Sequence, residues 1–327
     1  MVWLAESASS VVPVFDPASP FAEAIYSLFL KVLAISAVIF LIVVGLITVA
    51  VFRFRDKTGG NGDVPRQDFG SHKQEIFWLL GPVIIVVWLA AISAKLVFTV
   101  NAVPQAHPDA GEEPDEEIEV RGHQWFWEVK YPGHGIVSAN EVHLPVGKKI
   151  RIKLTSEDVI HSFWVPQLSR KMDAIPGRDN YFWIGASKPG VYQGRCTEFC
   201  GMVHAWMNFK VYAYEEAEWE AWVEAHSKKP ELPTEGVALA GQKFFETATC
   251  IDCHKIAGVG GTTMIAPDLT HFASRGEIGG GVFVNNRENL EKWLIDPQKW
   301  KPGCKMPNFK FDPEELQQVV AFLETLK

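Results

Sequence analysis

Hydrophobic and polar positions divide the chain into three stretches of different period. The first holds two apolar runs, Val32–Phe52 and Ile76–Ala94, of 21 and 19 residues without a charge. As a helix, each is long enough to cross about 30 Å of hydrocarbon. Two buried core helices would leave the same trace, but soluble core helices rarely run so far uncharged. From Ile118 the apolar positions shorten into β-branched and aromatic bursts: Ile118–Val120, Gln124–Lys130, Glu141–Leu144, Lys149–Thr155, Tyr181–Ile184, Gly190–Gln193 and Asn208–Tyr214. Gly and Pro separate them, as in Tyr131-Pro-Gly and Pro176-Gly, which predicts an all-β sandwich or barrel. Glu215–Ala225 then reads as an amphipathic helix carrying Trp219 and Trp222.

A polar, Pro-bearing stretch, His226–Glu235, marks a domain boundary. Beyond it, Val237–Thr247, Arg287–Ile295 and Pro313–Leu326 carry helical periodicity. Asp312 before Pro313, with Glu315 in the third helical position, is a capped helix start. The expected chain is multidomain: a tail over 1–20, a two-helix membrane hairpin over 21–100, a β domain over 101–226, a linker over 227–236 and an all-α domain over 237–327. Residues 101–118 are rich in Pro and acid, including Glu112, Glu113, Asp115, Glu116 and Glu117, and read as a solvated connection.

Charge orients this plan. The net charge of −8 over 327 residues argues against a nucleic-acid partner. Arg53, Arg55, Lys57, Arg66 and Lys73 cluster between the two apolar runs, whereas no Lys or Arg precedes Lys31. The positive-inside rule then puts that loop in the cytoplasm and both termini outside. The same lack of an early positive charge argues against a cleaved secretory signal, so the first span is expected to be retained in the bilayer.

The chemistry concentrates in two short segments. Cys196-Thr-Glu-Phe-Cys200-Gly-Met-Val-His204-Ala-Trp-Met207 spaces two thiols, an imidazole and a thioether as Cys-x3-Cys-x3-His-x2-Met. Soft sulfur with nitrogen suits copper in an electron-transfer site. Two thiolates can bridge two copper ions, and each copper then needs its own imidazole. His161, in Ser156-Glu-Asp-Val-Ile-His161-Ser, supplies the second, on a loop expected to open after a strand. A Cys196–Cys200 disulfide would leave the His and Met spacing unexplained, and a zinc site would leave Met207 unused.

Cys250-Ile-Asp-Cys253-His254 is the attachment signal for c-type haem. A redox or structural cysteine pair is the bland alternative. Haem iron in an electron carrier takes a sixth ligand, and Met raises its potential. Met306, in Lys305-Met-Pro-Asn late in the chain, is preferred over Met264. Cys304 is read as a buried thiol near the haem rather than a ligand, and His226 and His271 are read as surface or packing residues.

The segment from the first span to about Ala225 resembles subunit II of haem–copper cytochrome c oxidases. The resemblance rests on Gly122-His-Gln-Trp125-Phe-Trp127, Ser156-Glu-Asp-Val-Ile-His161-Ser, Lys171-Met-Asp-Ala-Ile-Pro-Gly-Arg178 and the Cys196–Met207 loop. It implies a cupredoxin-like Greek-key fold holding a dinuclear copper A centre. His161, Cys196, Cys200, His204 and Met207 would be its ligands, with the Glu198 carbonyl. It further implies a magnesium or manganese ion shared with subunit I through the Glu198 carboxylate. Trp125 would be the residue through which electrons enter, and Glu75 the mouth of a proton path. This family usually has Tyr where this chain has Phe126. The last ninety residues resemble class I cytochromes c, with Gly241, Phe245 and Phe322 in the packed helices and the Pro267 carbonyl orienting His254.

Together these resemblances describe the fused subunit of a caa3-type, proton-pumping terminal oxidase in a bacterial plasma membrane, with both redox domains on the outer face. Its partners would be subunit I and other oxidase subunits, membrane lipid, and an external donor such as a cytochrome c. Three other readings stay open on the residues: the copper A subunit of a nitric oxide reductase, a membrane-anchored copper chaperone, and a membrane-anchored cytochrome c with a merely structural β domain.

Overall fold

The computed structural model describes residues 12–55, 67, 69–100, 113–261 and 265–327. Lys57, Arg66, residues 101–112 of the acidic stretch, and Met264 lie outside the described residues. The chain divides into two compact units, Glu23–Ala102 and Met1–Ala22 with Val103–Lys327.

The smaller unit is built of α1 (Pro20–Arg53) and α2 (His72–Val100), of 34 and 29 residues. Both outrun the apolar stretches that predict them, because the flanking polar residues continue the helix. At about 1.5 Å rise per residue each exceeds the hydrocarbon thickness of a bilayer. Their apolar side chains face outward on all sides, Phe40 at 65% and Leu41 at 68% exposure. A helix apolar all round is stable in lipid rather than in water. Glu75 sits exposed in the first turn of α2, 3.3 Å from the His72 ring, and Pro82 interrupts the helix interior.

The β domain is a sandwich of two five-stranded sheets. One sheet holds β1 (Glu116–His123), β2 (Phe126–Tyr131), β3 (Ile136–Ala139), β5 (Ile150–Ser156) and β8 (Asn180–Ile184), in the order β3-β2-β1-β5-β8. The other holds β4 (Glu141–Pro145), β6 (His161–Trp164), β7 (Met172–Ala174), β9 (Gly190–Cys196) and β10 (Asn208–Tyr214), in the order β4-β10-β9-β6-β7. β1 runs parallel to β5 and β4 parallel to β10, while the remaining pairs are antiparallel. Alternate residues of β5, Ile150, Ile152 and Leu154, are fully buried, as a half-solvated sheet requires. The core between the sheets is aromatic. Trp127 meets Phe163 edge-on at 5.4 Å, and Phe163 stacks on Phe209 at 4.3 Å.

Three strands differ from expectation. β3 and β7 are too short to give a run, and β6 corrects the reading of His161. That residue opens a strand rather than a loop. The tail also packs. Ala18 donates to the Gln167 carbonyl at 2.8 Å and accepts from the Ser187 amide at 2.8 Å.

α3 (Glu216–His226) closes the sandwich, burying Trp219 and Trp222 against Tyr131. The rest of the larger unit is mostly helical: α4 (Gly236–Thr247), α5 (Cys250–Cys253), α6 (Arg287–Ile295), α7 (Pro297–Trp300) and α8 (Pro313–Leu323). Two short paired strands, β11 (Glu277–Ile278) and β12 (Phe283–Val284), lie between α5 and α6. α8 ends three residues before the expected Leu326, and its start is the predicted capping box of Asp312 with Glu315. α4 crosses α8 at Gly241, where an added Cβ would lie 1.9 Å from the Gln318 carbonyl oxygen. Phe245 and Phe322 meet beside that crossing at 5.8 Å.

Candidate metal and haem sites

The copper-type donors meet at one end of the sandwich. In antiparallel register Phe163 of β6 faces Cys196 of β9. His161, two residues before Phe163, therefore shares that face at the strand end. Cys196 closes β9, and the loop after it is pinned on both sides: Thr197 donates to the Ser162 carbonyl at 3.0 Å and Cys196 to the Met207 carbonyl at 3.1 Å. A single 3-10 turn, His204–Trp206, then folds His204 and Met207 back over Cys200.

The resulting distances are short. Cys196 Sγ lies 3.9 Å from His161 Nδ1, 3.3 Å from the Glu198 carbonyl oxygen and 3.8 Å from Cys200 Sγ. Cys200 Sγ lies 3.5 Å from His204 Nδ1 and 3.9 Å from Met207 Sδ. A disulfide needs about 2.05 Å between sulfurs, so this is no disulfide. His161, Cys196 and Cys200 are buried and converge as a metal-holding group. Met207 is 1% exposed and directs its thioether at the same point. Two thiols, two imidazoles, a thioether and a carbonyl form a soft set that fits copper and exceeds what tetrahedral zinc uses. Cys200 and His161 both hydrogen-bond Cys196, which holds the Cys196 thiol well below its usual range. Cys200 is pushed up by the same partner, so the pair shares one proton that a metal would displace.

Two neighbours carry roles that the sequence alone left unassigned. Asp158 Oδ1 accepts from His161 Nε2 at 2.9 Å, fixing the ring with Nδ1 toward the sulfurs. Burial would raise the Asp158 carboxyl, but His161 and the amides of Val159 and Gln124 hold it below the usual range. Gly122 is the second. A Cβ there would lie 2.7 Å from His161 Cδ2, so only glycine lets β1 pass the imidazole. The motifs contained both residues, but Asp158 is tied to Gln124 across 34 positions and Gly122 acts through an absent side chain, so spacing alone did not announce either role.

Trp125 joins this site to the next. Its indole Nε1 donates to the Cys200 carbonyl at 3.0 Å, beside Gln124 Nε2 at 2.8 Å on the same oxygen. The half-buried Trp125 also lines a cavity of about 1360 Å³, open mouth included, that holds Cys250, Cys253, His254 and Met306. The walls are otherwise apolar, with Leu269, Phe272 and Leu294 among them. Both thiols are free. His254 Nδ1 donates to the Pro267 carbonyl at 2.7 Å, leaving Nε2 for a metal. Burial lowers the His254 pKa, keeping the imidazole neutral as a ligand must be. Gln298 donates to the Met306 carbonyl at 2.8 Å and fixes the loop that carries the thioether. These residues fit a covalently held haem. Cys304 lines the same cavity, 3.2 Å from Gln298 Nε2, but is half-buried rather than buried, because the cavity it lines is open. The Glu198 side chain is exposed, and Glu75 belongs to the other unit.

Three family models match the chain: cytochrome c oxidase subunit II, transmembrane domain, over residues 8–96; its periplasmic domain over 134–214; and cytochrome c over 238–327. A cytochrome c oxidase subunit 2 of Alkalihalophilus pseudofirmus is 38% identical over 95% of this chain and 90% of its own length. The chain belongs to the cytochrome c oxidase subunit II family. A further subunit 2, from Bacillus sp. strain PS3, is 33% identical over 84% of this chain and 80% of its own. A crystal structure of the periplasmic domain of subunit II of Bradyrhizobium japonicum cytochrome oxidase shares 36% identity, covering 35% of this chain and 95% of that one, with a TM-score of 0.34.

The protein is therefore an electron-transfer subunit of a terminal oxidase, an oxidoreductase complex, with a cytochrome c domain fused at its C-terminal end. Subunit I and other oxidase subunits are its partners, and two spans make it a membrane protein. The two redox domains imply dinuclear copper and haem c.

Proposed function

We propose that the chain is a two-station relay, in which an electron enters at the Cys250-x-x-Cys253-His254 domain and leaves through the Cys196–Met207 loop toward subunit I. The observation that carries this reading is the shared cavity: Trp125 lines it together with His254 and Met306, and hydrogen-bonds Cys200 at its other side. When bound, haem and the copper pair each supply a one-electron redox centre. The protein's part is to hold and insulate them. Cys250 and Cys253 would anchor the haem and His254 and Met306 would ligate it, while Pro267 holds the His254 ring and Gln298 the Met306 loop. At the loop, His161, Cys196, Cys200, His204, Met207 and the Glu198 carbonyl hold copper, with Asp158 orienting His161.

The positive charges between the spans support a cytoplasmic loop, with both termini and both redox domains on the outer, periplasmic face of a bacterial plasma membrane. The donor would be an external cytochrome c, and lipid would cover the apolar hairpin. Glu198, whose side chain is exposed in the copper loop, would hold a magnesium or manganese ion shared with subunit I. Glu75 at the edge of α2 is the proposed mouth of a proton path for pumping. Domain limits near 21, 101, 227 and 237 complete the reading. Relatives named as cytochrome c oxidase subunits favour oxygen over nitric oxide as the oxidant. Metal and haem analysis with electron paramagnetic resonance tests the whole. One covalent haem with two coppers sharing one unpaired electron is expected, and zinc or a single copper would overturn it.

A further inference from the structure

One buried charge has no part in that relay. Lys301 follows α7 in the haem domain and is 4% exposed. Its Nζ donates to the Gly279 carbonyl at 2.8 Å and, across to the β domain, to the Trp125 carbonyl at 3.2 Å. An ammonium has three donors, so one remains. Among the described residues no carboxylate pairs with it, and burial pushes its pKa down to about 8. Its neighbours are served differently. Buried Lys210 meets Glu277 at 2.6 Å. Half-buried Arg275 feels the charges of Glu141 and Asp268. Lys305 is half exposed, so its cation is solvated. A buried cation is costly unless an anion compensates it. Lys301 lines the cavity that holds Cys250, Cys253 and His254, and haem carries two carboxylates.

We propose that Lys301 binds a haem carboxylate in that cavity and, with the same ammonium, ties it to the Trp125 backbone. One side chain thereby neutralises part of the cofactor's charge and fixes the haem domain against the tryptophan beside the copper loop. Lys301 is on this account a positioning residue for electron transfer. The inference rests on the proposed haem site. It adds a compensating charge and a fixed route from that site to Trp125.

The test uses the intact oxidase with Lys301→Met, Lys301→Gln and Lys301→Arg. Three quantities are read: covalent haem and copper content, the haem c potential by optical redox titration, and the rate of copper reduction after flash reduction of haem c. Met and Gln should keep both cofactors but lower the potential, because a cation near the carboxylate disfavours the extra positive charge of ferric iron. Transfer should slow most in Met, less in Gln, which retains a donor for the Trp125 carbonyl. Arg should restore most of the potential. Slower transfer at an unchanged potential would reduce Lys301 to domain packing and reject the carboxylate contact. A lowered potential with unchanged transfer would reject the tie to Trp125. Failure of the underlying relay looks different: the unmodified oxidase itself would lack covalent haem or fail to reduce copper from it.

Discussion

At the copper loop the donor atoms come from strand ends and a pinned turn, and each stands 3.3–3.9 Å from one of the two thiols. In the haem domain the reactive groups line the apolar wall of an open cavity. The first site is held by its scaffold: Trp127, Phe163 and Phe209 fill the sandwich directly behind His161. The second is held by a few loop hydrogen bonds, from His254 to Pro267 and from Gln298 to Met306. A soft metal asks for atoms at fixed separation, which a sheet supplies. A large planar cofactor asks for surrounding apolar surface, to whose packing it then contributes. Loss of the cofactor should therefore affect the two regions unequally.

The largest effect should follow Cys250→Ser with Cys253→Ser. Covalent haem should vanish and the α domain should lose several kcal/mol of stability, since ligand binding to the native state is what stabilises it. Haem staining on a denaturing gel and thermal melting would show this, while the copper resonance persists. An unchanged melt would break the contrast between the regions. Next comes Gly122→Ala, whose Cβ meets His161 Cδ2 at 2.7 Å. Together with Asp158→Asn it should weaken copper binding about 10–100-fold, as loss of an orienting partner does, with haem spectra untouched. Competition with a copper chelator measures it.

Smaller changes should follow loss of either thioether. Met207→Leu should retain copper with an altered spectrum, and an unaltered one rejects its ligand role. Met306→Ala should open the sixth haem position to carbon monoxide, so a haem that stays low-spin removes Met306 from the site. The least effect concerns the junction between the domains. His226, stacked on Trp222 and facing His143, His271 and Glu141, is pushed down to about 4, mainly by burial. A depressed His favours the fold while neutral, above its unfolded value near 6.5. That contribution is lost as pH falls from about 6.5 toward 4, on the order of 1–3 kcal/mol given its partial exposure. His226→Phe should flatten the acid limb of the melting temperature.

Both cofactor sites were legible because their donors sit within a few residues of one another. The Cys196–Met207 loop and Cys250–His254 carry their chemistry in spacing alone. The hairpin was equally plain, since lipid demands unbroken apolar helices. What escaped was chemistry assembled across the fold. β6 is four residues long, too short for alternation to show, so His161 looked like a loop residue. Gly122 acts through a contact made only when β1 packs against His161, and Asp158 orients His161, three residues on, through a hydrogen bond that spacing alone does not announce. Lys301, in a Lys- and Pro-bearing turn, reads as a solvated lysine until the two domains bury it. His271 is buried too, its ring hydrogen-bonded to the Lys327 carbonyl.

The central claim is that electrons reach copper from this chain's own haem, past Trp125. Flash reduction of haem c in the intact oxidase, followed at the haem and copper bands together, tests it most directly. Haem reoxidation should match copper reduction in rate, independent of protein concentration. A haem that stays reduced while an external donor reduces copper would contradict the account.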